Sequence, residues 1–123
     1  MKLLVVGGGG REHALAWAFR RDDPSSEIFC APGNPGTAQL GTNLPIPADD
    51  LDGLVRAAGQ YGIDLTVVGP EAPLAAGLAD RLTASGHPVF GPTEAGARIE
   101  ASKAFAKDLM SRAGVPTSQS GTF

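Results

Sequence analysis

The sequence is poor in cysteine, histidine and long apolar runs, and each shortage narrows the function. One cysteine, Cys30, stands in 123 residues. It cannot form an internal disulfide, and a lone thiol fits a reducing compartment, so the expected location is cytoplasmic. With only His13 and His87 beside it, no zinc site is expected. No apolar run approaches the ~18 residues that a membrane helix needs. A few apolar residues follow Lys2 before charge returns at Arg11, which is not the pattern of a secretory leader. Positive charge is also short: 10 Lys and Arg face 13 Asp and Glu, for a net charge of -3. Neither nucleic acid nor an anionic membrane is expected as a partner.

What is present points to one globular domain. The length suits a single core, and 42% apolar residues can supply it. The 17 glycines and 10 prolines fall at turns and not in low-complexity runs.

The informative stretch is Leu3-Leu4-Val5-Val6-Gly7-Gly8-Gly9-Gly10-Arg11-Glu12-His13-Ala14. A continuous apolar run ending in glycines predicts a strand buried on both faces. The glycines let a ligand approach backbone amides closely. A helix starting just after them aims unpaired N–H groups at that ligand, and Arg11 adds a bidentate charge. The bland alternative is a tight turn with no guest. The dinucleotide fingerprint G-x-G-x-x-G fails, because its third position falls on Glu12 or His13. The acid expected about 20 residues further on is also missing. A P-loop would need Gly-Lys-Ser/Thr, which does not occur. A generic phosphate or pyrophosphate cradle over Gly8, Gly9, Gly10 and Arg11 remains.

The rest of the chain alternates strand and helix. A helix is expected over 11–21, with Leu15, Ala18 and Phe19 on one face and Trp17 at its edge. A strand follows at 27–31, then Pro32-Gly33-Asn34-Pro35-Gly36-Thr37, which reads as irregular. Residues 44–47 read as a short edge strand, where proline is tolerated. Asp49 or Asp50 caps a helix closed by Tyr61-Gly62. A strand is expected at 64–68, one helix over 74–85 and a last strand at 87–90. Two further helices, about 94–100 and 102–113, precede an extended segment at 115–123. The pattern predicts an α/β fold: an open, mostly parallel, Rossmann-like sheet with helices on both faces.

Two polar residues fall just past strands, at the edge where open α/β sheets bind ligands. The Asn34 amide can both donate to and accept from a sugar hydroxyl, although a stiff loop is the plainer reading. Glu71 can accept from two vicinal hydroxyls, or simply favour a helix dipole. Ser102, Lys103 and Lys107 read first as a solvated basic face. His13 reads as packed or capping, and Cys30 as a small core residue. No nucleophile–base pair, carboxylate dyad or metal cluster emerges, so no catalytic residue is assigned.

Several motifs in chain order resemble one family. Gly8-Gly9-Gly10-Arg11-Glu12-His13-Ala14, Ala31-Pro32-Gly33-Asn34-Pro35-Gly36-Thr37, Val68-Gly69-Pro70-Glu71-Ala72-Pro73-Leu74 and Phe90-Gly91-Pro92 are similar to the N-terminal domain of phosphoribosylamine–glycine ligases. Glu100 to Lys107, followed by Gly114-Val115-Pro116-Thr117, resembles that family's passage into its ATP-grasp module. The resemblance implies a pre-ATP-grasp substrate-binding domain over 1–100, with 101–123 as a linker helix and the start of the ATP-grasp module. Family members use ATP to phosphorylate the glycine carboxylate. The amine of 5-phosphoribosylamine then attacks, giving glycinamide ribonucleotide in purine biosynthesis. On this resemblance Gly8, Gly9, Gly10 and Arg11 take the substrate phosphate, Asn34 and Glu71 the ribose, and Lys103 lies near ATP. Magnesium or manganese is implied for the complete enzyme, with its ligands in the ATP-grasp portion outside this chain. The isolated chain is therefore expected to bind and not to ligate. The alternative is a stand-alone sugar-phosphate or nucleotide-binding module without ligase activity.

Overall fold

The computed structural model describes residues 1–96. Strand β1 (Lys2–Gly7) leads to helix α1 (Gly10–Asp22), and β2 (Glu27–Pro32) to a single helical turn, α2 (Pro35–Ala38). Next come β3 (Thr42–Asn43), α3 (Leu51–Gln60) and β4 (Leu65–Val68). Helices α4 (Glu71–Ala75) and α5 (Leu78–Ala84) precede β5 (Val89–Phe90). The five strands form one sheet in the order β3-β2-β1-β4-β5, and every pairing is parallel.

Side-chain alternation along the strands sorts the core into two layers. Leu4 and Val6 of β1 join Ala31, Leu54, Leu78 and Leu82 on the face covered by α3 and α5. Val5 joins Ile28, Cys30 and Ala16 on the face covered by α1. Leu4, Leu54, Leu78 and Leu82 are all fully buried. Each such leucine contributes about 1.5–3 kcal/mol relative to exposure. Phe29 and Tyr61 close the α3 layer, with ring centroids 5.0 Å apart.

Five local expectations need correction, and one open choice is decided. On α1 the buried apolar residue is Ala16, while Leu15, Ala18 and Phe19 are half-buried; Trp17 is 53% exposed under the Arg21 guanidinium. Pro35 to Ala38 forms a helical turn and is not irregular: proline is suited to the first helical position, and Asn34 caps the turn by accepting the Thr37 N–H. The edge strand lies at Thr42–Asn43, before 44–47, because Pro45 and Pro47 have no N–H for a ladder. The expected helix over 74–85 is two helices, broken where Gly77 takes φ 98°. Leu74, Leu78 and Leu82 are buried across the break, so the apolar spacing alone does not reveal it. The last strand is shorter than 87–90, being Val89–Phe90. Asp50, and not Asp49, caps α3 by accepting the Gly53 N–H at 3.0 Å. The helix expected over 102–113, Lys103, Lys107 and the segment 101–123 lie outside the described residues.

Candidate functional site

Strands β1 and β4 are neighbours, yet the chain leaves them toward opposite faces: α1 packs on one and α4–α5 on the other. Their carboxyl ends therefore open a crevice at the point where the strand order reverses, the usual ligand position in such sheets. The candidate site residues within the described part of the chain, Gly8, Gly9, Gly10, Arg11, Asn34 and Glu71, all follow strand ends on this edge.

The glycine loop crosses from β1 to α1. Gly8, Gly9, Gly10 and Arg11 are exposed. The His13 N–H starts the helix by donating to the Gly9 carbonyl at 3.1 Å. The amides of Gly10, Arg11 and Glu12 precede it and have no intrahelical acceptor. Gly9 is already used, since its N–H donates to Glu12 Oε2 at 3.2 Å. A side chain at Gly10 would meet nothing within 4 Å, so the loop is unencumbered at that residue. The Arg11 side chain is 56% exposed, with Nη2 3.7 Å from Glu12 Oε1.

The loop after β2 is backed directly onto the glycine loop. A Cβ on Gly8 would stand 2.8 Å from the Gly33 carbonyl oxygen, so only glycine allows this approach. Asn34 Nδ2 donates to the carbonyls of Gly8 at 3.0 Å and Gly9 at 3.3 Å, while Oδ1 accepts the Thr37 N–H at 2.9 Å. Asn43 Nδ2 in turn donates to the Asn34 carbonyl at 2.8 Å, and Thr37 Oγ1 donates to Asn43 Oδ1 at 2.7 Å. Asn34 thus bridges two loops, with one Oδ1 lone pair left for a ligand. The His13 ring lies against Gly36, where a Cβ would be 2.4 Å from Cε1.

On the other side, Gly69-Pro70-Glu71 follows β4. Glu71 opens α4, is exposed, and stands in the first turn. A cleft of about 320 Å³ lies beside this turn, lined by Ala48, Asp49, Leu51, Pro70, Pro73 and others. It offers no cation and is no anion site; the donors are at the glycine loop.

Glu12 had no role in the sequence reading beyond spoiling the dinucleotide fingerprint. It is the buried charged residue at this edge, 4% exposed. Its place three residues after the cap Gly9, where an acid reaches back to the cap N–H, is the signal that marks it.

Residues 1–100 match the family described as phosphoribosylglycinamide synthetase, N domain. The chain belongs to this family. It is 53% identical over its whole length to phosphoribosylamine–glycine ligase of Allochromatium vinosum, and 51% identical to that of a Nostoc species. It spans 29% of the length of each of these relatives. The crystal structure of phosphoribosylamine–glycine ligase from Thermotoga maritima superposes with a TM-score of 0.71 at 30% identity, covering 97% of this chain and 26% of that one. N5-carboxyaminoimidazole ribonucleotide synthetase from the same organism shares the fold at 16% identity and TM-score 0.69. Among the described residues no group of three or more His, Cys, Asp or Glu could hold a metal, and no helix is long and apolar enough to cross a membrane.

Proposed function

We propose that this N domain is the substrate-holding part of an ATP-dependent, cytoplasmic ligase that joins glycine to 5-phosphoribosylamine, giving glycinamide ribonucleotide in purine biosynthesis. The observation that carries the reading is the juxtaposition at the sheet edge. Free amides at the start of α1 and the exposed Arg11 lie across the crevice from the exposed Glu71. One end suits a phosphate dianion, the other vicinal hydroxyls.

In this reading Gly8, Gly9, Gly10 and Arg11 hold the 5′-phosphate. The free amides of Gly10, Arg11 and Glu12 supply fixed dipoles, Gly8 and Gly9 let the ligand approach them, and Arg11 supplies charge in a fork that fits phosphate oxygens. Glu71 accepts from the ribose hydroxyls. Asn34 holds the glycine loop to the β2 loop and offers its remaining lone pair to the sugar. Holding the handle of the substrate orients its amine without touching the reacting atoms. The chemistry belongs to the ATP-grasp portion, where ATP supplies the phosphoryl group and magnesium or manganese is held. Lys103 is assigned to the ATP phosphates. The described residues contain no acidic cluster to hold that metal, so no step is placed on them.

The test is a titration of ribose 5-phosphate against the 123-residue chain, Arg11→Ala and Glu71→Ala. Wild type binds, and both variants bind less tightly. Adenine nucleotide binding that ignores both substitutions would instead support a stand-alone nucleotide module. The chain alone, given ATP, glycine and phosphoribosylamine, yields no product; turnover would refute the assignment of the chemistry to the remaining portion.

A further inference from the structure

We infer that Glu12 is the positioning residue of this site: its carboxylate is wedged between the ends of β1 and β4 and sets the spacing between the glycine loop and the Glu71 turn. The identity of the ligand rests on the function proposed above; the wedge itself rests on geometry. A Cβ on Gly69 would stand 2.2 Å from Glu12 Oε1, and a Cβ on Gly7 would stand 2.5 Å from the same atom. Both glycines leave open the space that the carboxylate fills. Oε2 accepts the Gly9 N–H at 3.2 Å, and Arg11 Nη2 lies 3.7 Å from Oε1. One side chain therefore touches the end of β1, the cap of α1, the end of β4 and the site arginine.

A buried carboxylate costs free energy unless it is paired, and one beside an anion site also repels the ligand. Its place here has a geometric return. By taking the Gly9 N–H it caps α1, while the amides of Gly10, Arg11 and Glu12 that face the phosphate are held by the helix backbone itself. By bearing on Gly69 it fixes where Glu71, two residues further on, stands relative to them. A ligand that spans both ends senses that spacing. Inorganic phosphate, which reaches only the glycine loop, does not.

The experiment compares ribose 5-phosphate with inorganic phosphate on wild type, Glu12→Asp and Glu12→Gln. Aspartate keeps the charge but is one methylene short; glutamine keeps length and an acceptor. Losing or misaligning a hydrogen bond to a charged group commonly costs about tenfold or more in affinity, so Glu12→Asp, by shifting Glu71, is expected to weaken ribose 5-phosphate about tenfold. It should change inorganic phosphate by less than about threefold, because fixed-donor contacts are retained. Glu12→Gln is expected within about threefold of wild type for both ligands, since the Gly9 bond survives. Equal losses for the two ligands, or a glutamine variant as weak as the aspartate one, would overturn the inference. If wild type binds neither ligand, the functional reading fails and amide exchange decides the wedge. Gly9 exchange faster in Glu12→Asp than in wild type and Glu12→Gln supports it; equal exchange refutes it.

Discussion

Replacing Asn34 with aspartate separates two jobs that one side chain performs. Oδ1 caps α2 through the Thr37 N–H at 2.9 Å, and aspartate keeps that bond. Nδ2 donates to the Gly8 carbonyl at 3.0 Å and to the Gly9 carbonyl at 3.3 Å, and aspartate loses both. It also sets a charged oxygen against two carbonyl oxygens. Each net hydrogen bond contributes about 0.5–1.5 kcal/mol, and the longer one belongs near the low end, so the expected loss is about 1.5 kcal/mol. Partial exposure of the site limits the added repulsion. Asn34→Ala loses the cap as well, a further ~1 kcal/mol, for about 2.5 kcal/mol in total. With a urea m-value of about 2 kcal/mol/M, the midpoints fall by about 0.75 M and 1.25 M. Urea melts followed by circular dichroism measure both. If Asn34→Asp melts with wild type while Asn34→Ala loses about 1 kcal/mol, then Asn34 is only a cap and the bridge contributes nothing.

Three other outcomes are expected. Arg11→Ala should weaken ribose 5-phosphate about tenfold at low salt and less at high salt, because an exposed charge–phosphate contact is screened; calorimetry showing no change would remove Arg11 from the site. Gly41→Ala places a Cβ 2.1 Å from the Ile28 carbonyl oxygen, on a strand backbone that cannot yield. About 3 kcal/mol of stability should be lost, and an unchanged melting temperature would contradict the packing of the β2–β3 edge. Burial pushes the Cys30 thiol up from its ordinary value, against a smaller opposing effect of the Thr37 hydroxyl. The folded chain then holds that proton more tightly than the unfolded one. Stability from Cys30 is full below the unfolded thiol's pKa and declines as pH rises through the folded one. Cys30→Ala should flatten that alkaline decline, and a thiol reagent should react at pH ~8 only after urea is added.

The central strands β1, β2 and β4 were legible because each is a short, mostly buried apolar run leading into glycine or proline, whereas the edge strand β3, only Thr42–Asn43, carries no apolar signal. Leu3 to Val6 and Leu65 to Val68 could be found from composition alone. The helices were less so. Leu74, Leu78 and Leu82 have helical spacing across a break that depends on the left-handed conformation of Gly77, a backbone property that periodicity does not carry. The turn at Pro35 was hidden by reading proline and glycine as breakers, when proline in the first helical position and asparagine before it are starting signals. At the site, Arg11 and Glu71 were legible as candidates because one adjoins the glycine loop and the other stands just past β4. Asn34 was legible as a residue, but its bond to the glycine loop was not, since it joins segments distant in sequence. Glu12 was read only inside its own motif, whereas the partner that explains it is Gly69.

That last pairing bears on which phosphate the loop can hold. In a dinucleotide site the third small residue lies on the helix and lets it close onto the strand. Counted from Gly7 and Gly9, that position is Glu12, which is large and buried. The room lies instead on the neighbouring strand's end, at Gly69. The crevice between β1 and β4, which a dinucleotide's pyrophosphate would cross, therefore contains a carboxylate. Its charge disfavours a second phosphate close by. Arg11, 3.7 Å from that carboxylate, cannot neutralise both it and a pyrophosphate. A single terminal phosphate held at the amides of α1, beside Arg11, avoids placing that second charge near the carboxylate. The rest of such a ligand must then run along the loop ends toward Glu71, as a sugar would. The residue that spoils the dinucleotide fingerprint is thus also the one whose buried charge argues against a pyrophosphate at this loop.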